Sequence, residues 1–212
     1  LACAALGLPH GEPAVKPAPR LQHPAGTRFT LAQRLVGAAA GLEGVLPGDY
    51  VEPKAHLVFS QDTTGMMTMQ ETQELACTRY ATTFVQSFCH TAAGPKSKDA
   101  KMQADLDAIV AEHGGIDLRP GDGVIHTVGN RFVLPYTVGT GGDSHTRFPL
   151  GISFAAGSDL VAFAASQGFM PLDLPESVRV VFRGRPHPGI TMRDLVNAIP
   201  WAALRVGKLN LG

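Results

Sequence analysis

The 212-residue chain is 44% hydrophobic and 17% charged, which excludes disorder over most of its length. Lys and Arg number 18 and Asp and Glu 18, for a formal net charge of zero, which argues against a protein built chiefly to neutralise nucleic-acid phosphates. No apolar run approaches the ~18 residues that a membrane-spanning helix needs, so no membrane association is expected.

Residues 1–27 hold five prolines (Pro9, Pro13, Pro17, Pro19 and Pro24) and little apolar periodicity, and read as an extended linker or tail. Thr30 is placed to cap a helix carrying Leu31, Leu35 and Val36 and ended by Gly41. Leu57-Val58-Phe59 reads as a short buried strand. Thr68 and Glu71 have the spacing of a capping box, which predicts a helix from there to about Thr82. Phe84 to Phe88 reads as a strand, and Asp99 opens a helix with Met102, Leu106, Ile109 and Val110 on one face, closed by Gly114-Gly115. Val124-Ile125 and Tyr136-Thr137-Val138 are short strand candidates. Ser158 is placed to cap a helix ended by Gly168, Val178 to Phe182 reads as a strand, and Thr191 starts a last helix with Leu195, Val196 and Ile199 facing inward. The alternation of strand and helix predicts a layered α/β domain with a largely parallel sheet over residues 28–212. The chain starts with Leu1 rather than Met, and its end soon follows a helical pattern, so it reads as a piece of a longer polypeptide.

In parallel α/β sheets ligands sit at the carboxyl ends of strands. Four polar segments follow predicted strands: Gln61-Asp62-Thr63-Thr64, His90-Thr91, His126, and the glycine-rich run Gly139 to Thr146 containing Asp143, Ser144 and His145. Each alone has a bland explanation. Asp143 and Ser144 can cap a following helix, His90 and His126 can be structural histidines, and Gln61-Asp62 can be a turn. Their recurrence after four strands is what points to a shared pocket. Asp62 is placed to orient a histidine or hold backbone amides. His10, His23, His113 and His187 read as surface residues, and the Met66, Met67, Met69 cluster as packing. Cys3, Cys77 and Cys89 form no paired-thiol motif and fit a reducing, cytoplasmic compartment. Cys77 reads as a core residue, and Cys89 beside His90 as a buried, inert thiol rather than a reactive one.

Read together, Ser60-Gln61-Asp62-Thr63-Thr64-Gly65, Gln86-Ser87-Phe88-Cys89-His90-Thr91-Ala92-Ala93, Arg119 to His126, Val138 to Pro149, Met170 to Val178 and Pro188 to Val196 resemble the B-type bacterial aconitate hydratases. The resemblance covers about Arg28 to Arg205. It implies an α/β/α domain of an iron–sulfur lyase that interconverts citrate and isocitrate through cis-aconitate in the tricarboxylic acid cycle, with 2-methylisocitrate as a side substrate. It implies that Gln61, Asp62, Thr63 and Ser144 contact substrate, that Asp143 and His145 flank that serine, that His90 assists protonation of the leaving hydroxyl and that His126 is a further active-site histidine.

The same resemblance implies a [4Fe–4S] cluster whose cysteine ligands are not in this chain: Cys77 and Cys89 do not match the family's ligand positions. The proton-abstracting serine and most carboxylate-binding arginines are implied to lie outside as well, in the rest of the parent polypeptide, so the chain alone is expected to be inactive. Many aconitases have Asp before the first histidine, whereas Cys89 stands there in this sequence, which leaves open what orients His90. Two other functions are alternatives: binding of messenger RNA in a cluster-free form, which the charge and aromatic content argue against, and a related isopropylmalate or homoaconitate isomerase, which shares the Asp-Ser-His turn.

Overall fold

In a computed structural model of the chain, the described residues are 21–75, 79–93, 96–148 and 150–209. They divide into two compact units, one ending at Pro175 and one beginning at Glu176. Cys3, Cys77 and His10 lie outside the described residues.

The first unit opens with α1 (Leu31–Ala39). Thr30 caps it as the sequence predicts, in a reciprocal capping box with Gln33. Strand β1 (Tyr50–Val51) pairs antiparallel with β7 (Leu172–Asp173) in a small separate ribbon. The main sheet comprises β2 (Leu57–Gln61), β3 (Thr83–Ser87), β4 (Ile116–Leu118), β5 (Val138–Gly141) and β6 (Ile152–Ala155). All its pairings are parallel, in the order β4-β3-β2-β5-β6. This is the mixed α/β architecture with a parallel sheet that the alternating pattern predicts.

Side chains alternate along β2 and divide the core between two faces. On one face Val58 and Phe84 pack with Met69 of α2 (Asp62–Glu74), Leu106 and Val110 of α3 (Ser97–Glu112), and Val161, Ala164 and Ala165 of α5 (Ser158–Gln167). On the other face Leu57, Phe59, Val85 and Leu118 pack with Ile125 of the short α4 (Ile125–Gly129) and with Phe148. At Gly139 of β5 a neighbouring strand's backbone and a ring both come close. A methyl there would collide with the carbonyl oxygen of Leu57 and press on the Phe148 ring, so only glycine fits.

Several predicted elements are displaced. α2 starts at Asp62, because the Gln61 side chain caps it. Thr68 is therefore inside the helix, where its hydroxyl donates to the carbonyl of Thr64 instead of capping. Val124-Ile125 is not a strand: Ile125 begins α4, so His126 sits in a helical first turn. An apolar pair is too short for periodicity to separate the two states. β5 begins at Val138, because Tyr136 has a left-handed φ of 63° that no strand accommodates. The cap of α5 is Gly157, and the hydroxyl of Ser158 donates to Glu71 at 2.9 Å instead. His113 is buried, with Nδ1 2.8 Å from the carbonyl of Ile109, and is not a surface residue. Of the three clustered methionines only Met69 is in the core, with Met66 and Met67 exposed.

The second unit holds α6 (Met192–Arg205), capped by a Thr191–Asp194 box. Leu195 and Ile199 are half-buried, whereas Val196 is exposed. The Val178 to Phe182 segment forms no ladder among the described residues, because strand propensity without a paired neighbour does not make a strand. Among the described residues no helix is long and apolar enough to cross a membrane.

Candidate active site

The strand order fixes where a ligand site can form. The chain runs outward from β2 through β3 to β4, then returns to the other side of β2 for β5 and β6. The reversal lies between β2 and β5, and crevices open at the carboxyl ends of strands at such a point. At those ends stand Gln61, the last residue of β2, with Asp62 after it, and Gly142-Asp143, with Cys89-His90-Thr91 just beyond neighbouring β3.

Asp62 is buried at the first position of α2, where the helix dipole favours a carboxylate. Its oxygens accept a complete set of donors. Oδ2 accepts the backbone N–H of Thr91 at 2.7 Å and the Thr91 hydroxyl at 2.6 Å. The backbone N–H of His90 points between both oxygens, at 3.1 and 3.3 Å. Nδ1 of His90 lies 2.9 Å from Oδ1. Since the other donors mark this carboxylate as an acceptor, Nδ1 carries the hydrogen and Nε2 is left to face a ligand. The imidazole is 44% exposed and the carboxylate fully covered, so Asp62 orients the ring from beneath. Cys89 Sγ lies 3.5 Å from the same Nδ1, a weaker contact. The residue that orients His90, left open by the sequence, is thus Asp62.

Gln61 ties this loop to the next. Its Oε1 accepts the N–H and the hydroxyl of Thr63, at 2.7 and 2.6 Å. Its Nε2 donates to the carbonyl of Gly142 at 3.4 Å. Gly142 is a second position of close approach, since a Cβ there would lie 2.9 Å from Thr64 Oγ1. Gln61 is buried and its amide is engaged within the protein, and the hydroxyl of Thr63 is committed to it.

Beyond β5, Asp143 gathers two histidines. Its Oδ1 accepts the backbone N–H of His145 at 2.8 Å, and the His145 ring nitrogen Nδ1 lies 3.0 Å away. Ser144 Oγ is 3.1 Å from that same Nδ1, so the nitrogen either donates to the carboxylate or accepts from the hydroxyl. Nε2 of His126 approaches Asp143 Oδ1 at 3.6 Å, and the rings of His126 and His145 stand edge to face, 6.2 Å apart. Burial, reinforced by the charges of Arg147 and His145, pulls His126 below the ordinary histidine value against the opposing pull of Asp143. Burial works to raise Asp143, but the His145 N–H donors and the two imidazoles outweigh it and hold the carboxyl below its usual range.

In these loops histidine and carboxylate therefore meet twice, at Asp62–His90 and at Asp143 with His126 and His145, and Gln61 bridges the two loops. The residue that sequence reasoning missed is Gln103 of α3, whose Nε2 donates to Thr91 Oγ1 at 2.9 Å and to the Thr91 carbonyl at 3.2 Å. Only the tertiary packing of α3 reveals it.

His126, Asp143 and His145 offer ligand atoms within 4.8 Å of one another, as do Asp62, Cys89 and His90. An iron–sulfur cluster of the kind the resemblance implies is held by several thiolates. Among the described residues the sole thiol is Cys89, so the residues present do not fit that cluster.

The chain matches a family described as the Aconitase family (aconitate hydratase) over residues 37–208. It is 60% identical over 188 residues to Aconitate hydratase B of Synechocystis sp., covering 88% of this chain and 22% of that protein. It is 57% identical over 207 residues to Aconitate hydratase B of Helicobacter pylori, covering 97% and 24%. A more distant relative, the 3-isopropylmalate dehydratase large subunit of Hydrogenobaculum sp., is 26% identical over 176 residues, covering 79% and 41%. The chain thus spans about a quarter or less of the aconitate hydratases it matches. With the match extending over most of its residues, the chain belongs to the aconitase family.

Proposed function

We propose that the chain is a segment of an aconitate hydratase and forms one wall of its site, supplying the acid and the hydrogen-bonding groups for the reversible dehydration of citrate and isocitrate. The observation that carries this reading is the Asp62–His90 pair at a sheet reversal point. Dehydration of a β-hydroxy acid breaks a C–H and a C–O bond, and the departing hydroxide must take up a proton. His90, with Nδ1–H held by Asp62, delivers that proton from Nε2 and returns to the neutral Nδ1–H form. Asp62 stabilises the imidazolium before transfer. In the reverse direction the same nitrogen takes the proton from water. Ser144, His126 and His145, arrayed around Asp143, present hydroxyl and N–H donors suited to carboxylate groups of a small polyanion.

The family resemblance implies an iron–sulfur cluster, and its ligands would come from beyond this chain. The base that removes the C–H proton and most carboxylate-binding cations would come from there too. The identity of 57 to 60% with aconitate hydratases against 26% with an isopropylmalate dehydratase favours the tricarboxylate substrate. The test is an anaerobic assay of the longer polypeptide carrying this segment, offered isocitrate and 3-isopropylmalate in parallel. Turnover of isocitrate alone is expected. Turnover of 3-isopropylmalate alone would overturn the substrate assignment.

A further inference from the structure

We propose that Gln103 is a positioning residue for His90, acting at second hand through Thr91 and Asp62. The inference rests on the reading of His90 as the acid of the proposed reaction. Its basis is an unbroken run of directed hydrogen bonds. The Thr91 hydroxyl has one hydrogen and lone pairs to accept others. Gln103 Nε2 reaches Oγ1 at 2.9 Å and the carbonyl of the same residue at 3.2 Å. An amide nitrogen only donates, so it occupies a lone pair on Oγ1 and leaves the hydroxyl hydrogen for Asp62 Oδ2, 2.6 Å away. With Oδ2 held there and by the Thr91 N–H at 2.7 Å, the carboxylate plane is fixed and Oδ1 faces His90 Nδ1 at 2.9 Å.

The direction of the run matters more than its presence. Without the amide of Gln103, the Thr91 hydroxyl is free to turn its hydrogen elsewhere, and Asp62 loses one of its short charge-assisted bonds. The carboxylate then rotates in its pocket, and Cys89 Sγ, 3.5 Å from Nδ1, competes for the ring. The hydrogen of neutral His90 would no longer be confined to Nδ1, and Nε2 would no longer be reserved for a ligand. Gln103 and Thr91 are both half-buried, and the ring's hydrogen-bond neighbours are Asp62 and Cys89, so their influence is on its tautomer and angle rather than on the reaction directly.

The test is nitrogen-15 NMR of the histidine side chains in the 212-residue chain, with the His90 signal assigned by its loss in His90→Asn. This reads the ring without any turnover, so it stands or falls separately from the proposed reaction. Wild type and Thr91→Ser, which keeps the hydroxyl, are expected to show neutral His90 as the Nδ1–H tautomer. Thr91→Val and Gln103→Met, which keep size and remove the polar groups, are expected to lower the Nδ1–H to Nε2–H ratio by about three- to tenfold, the scale of one ordinary hydrogen bond. The signals of His56 and His113 should stay in place and report an intact fold. Should Thr91→Val fail to fold, Gln103→Met and Gln103→Glu, both on a partly exposed helix face, decide the matter. An unchanged His90 tautomer in folded Gln103→Met and Gln103→Glu overturns the proposal.

Discussion

Asp62 and His90 are 28 residues apart in sequence, yet Oδ1 of one stands 2.9 Å from Nδ1 of the other. The reason is topological. β2 and β3 are adjacent and parallel, with Gln61 opposite Ser87, so the residues just past both strands emerge side by side. Because the Asp62 carboxylate collects the donors of the β3 loop, it holds that loop in place. Asp62→Ala leaves the amides of His90 and Thr91 without their acceptor, and a stability loss of about 2–4 kcal/mol is expected by urea denaturation. Asp62→Asn, which keeps an acceptor oxygen, should lose about half as much or less.

A second carboxylate gives a pH-dependent prediction of opposite character. Asp117 is pushed up to about 6, first by burial, then by the hydrogen bond and charge of Asp107, with Asp122 adding and Arg119 opposing. A folded-state value above the ordinary one means that the folded protein holds this proton more tightly. The stability it contributes is therefore present below about pH 3.8 and is lost as pH rises through about 6. Asp117→Asn, a neutral stand-in, should be more stable than wild type at pH 7 by about 1 kcal/mol, allowing for solvent screening at this partly exposed site. The advantage should shrink towards zero by pH 4 in paired denaturation curves.

The contact between β5 and β2 tolerates no side chain at Gly139. The obstacle is the Leu57 carbonyl, a backbone atom that cannot step aside without breaking the ladder. Gly139→Ala should cost about 3 kcal/mol or more and lower the thermal midpoint accordingly. Gly121→Ala, at a turn where the added methyl meets nothing, should cost less, only the strain of its left-handed backbone.

The histidines around Asp143 should respond to their neighbours with predictable sign. His126 is lowered chiefly by burial, with Arg147 adding to the effect and Asp143 opposing it. Arg147→Gln should therefore move the His126 midpoint upward in an NMR pH titration, and Asp143→Asn should move it downward.

The sheet and the loops that carry the site were legible because strand-end polar residues follow apolar runs. Asp62, Asp143, His90 and His145 can be picked out singly in this way, whereas His126 follows an apolar pair that is no strand. Their partners cannot. Nothing local in the sequence says that Asp62, rather than the Cys89 preceding it, orients His90, because the pairing exists only across two adjacent strands. Gln103 was invisible for the same reason, lying on α3 and reaching back to Thr91. The start of α2 was misplaced because Gln61, a residue type seldom found as a cap, does the capping. Strands β4 and β6 are not read from the sequence because Ile116–Leu118 and Ile152–Ala155 are too short to show a period. The apolar, β-branched character of Val178 to Phe182 suggests a strand, but pairing is a property of neighbours and not of the segment.

The central claim is that His90, held by Asp62, is the proton donor of a hydro-lyase site. It is tested most directly by the steady-state rate of isocitrate dehydration in the longer polypeptide carrying His90→Asn, with His187→Asn at an exposed position as the control. A fall in kcat of about 10²- to 10⁴-fold with KM little changed is the predicted result, the range for loss of a general acid. Turnover by His90→Asn at the rate of the control would contradict the account.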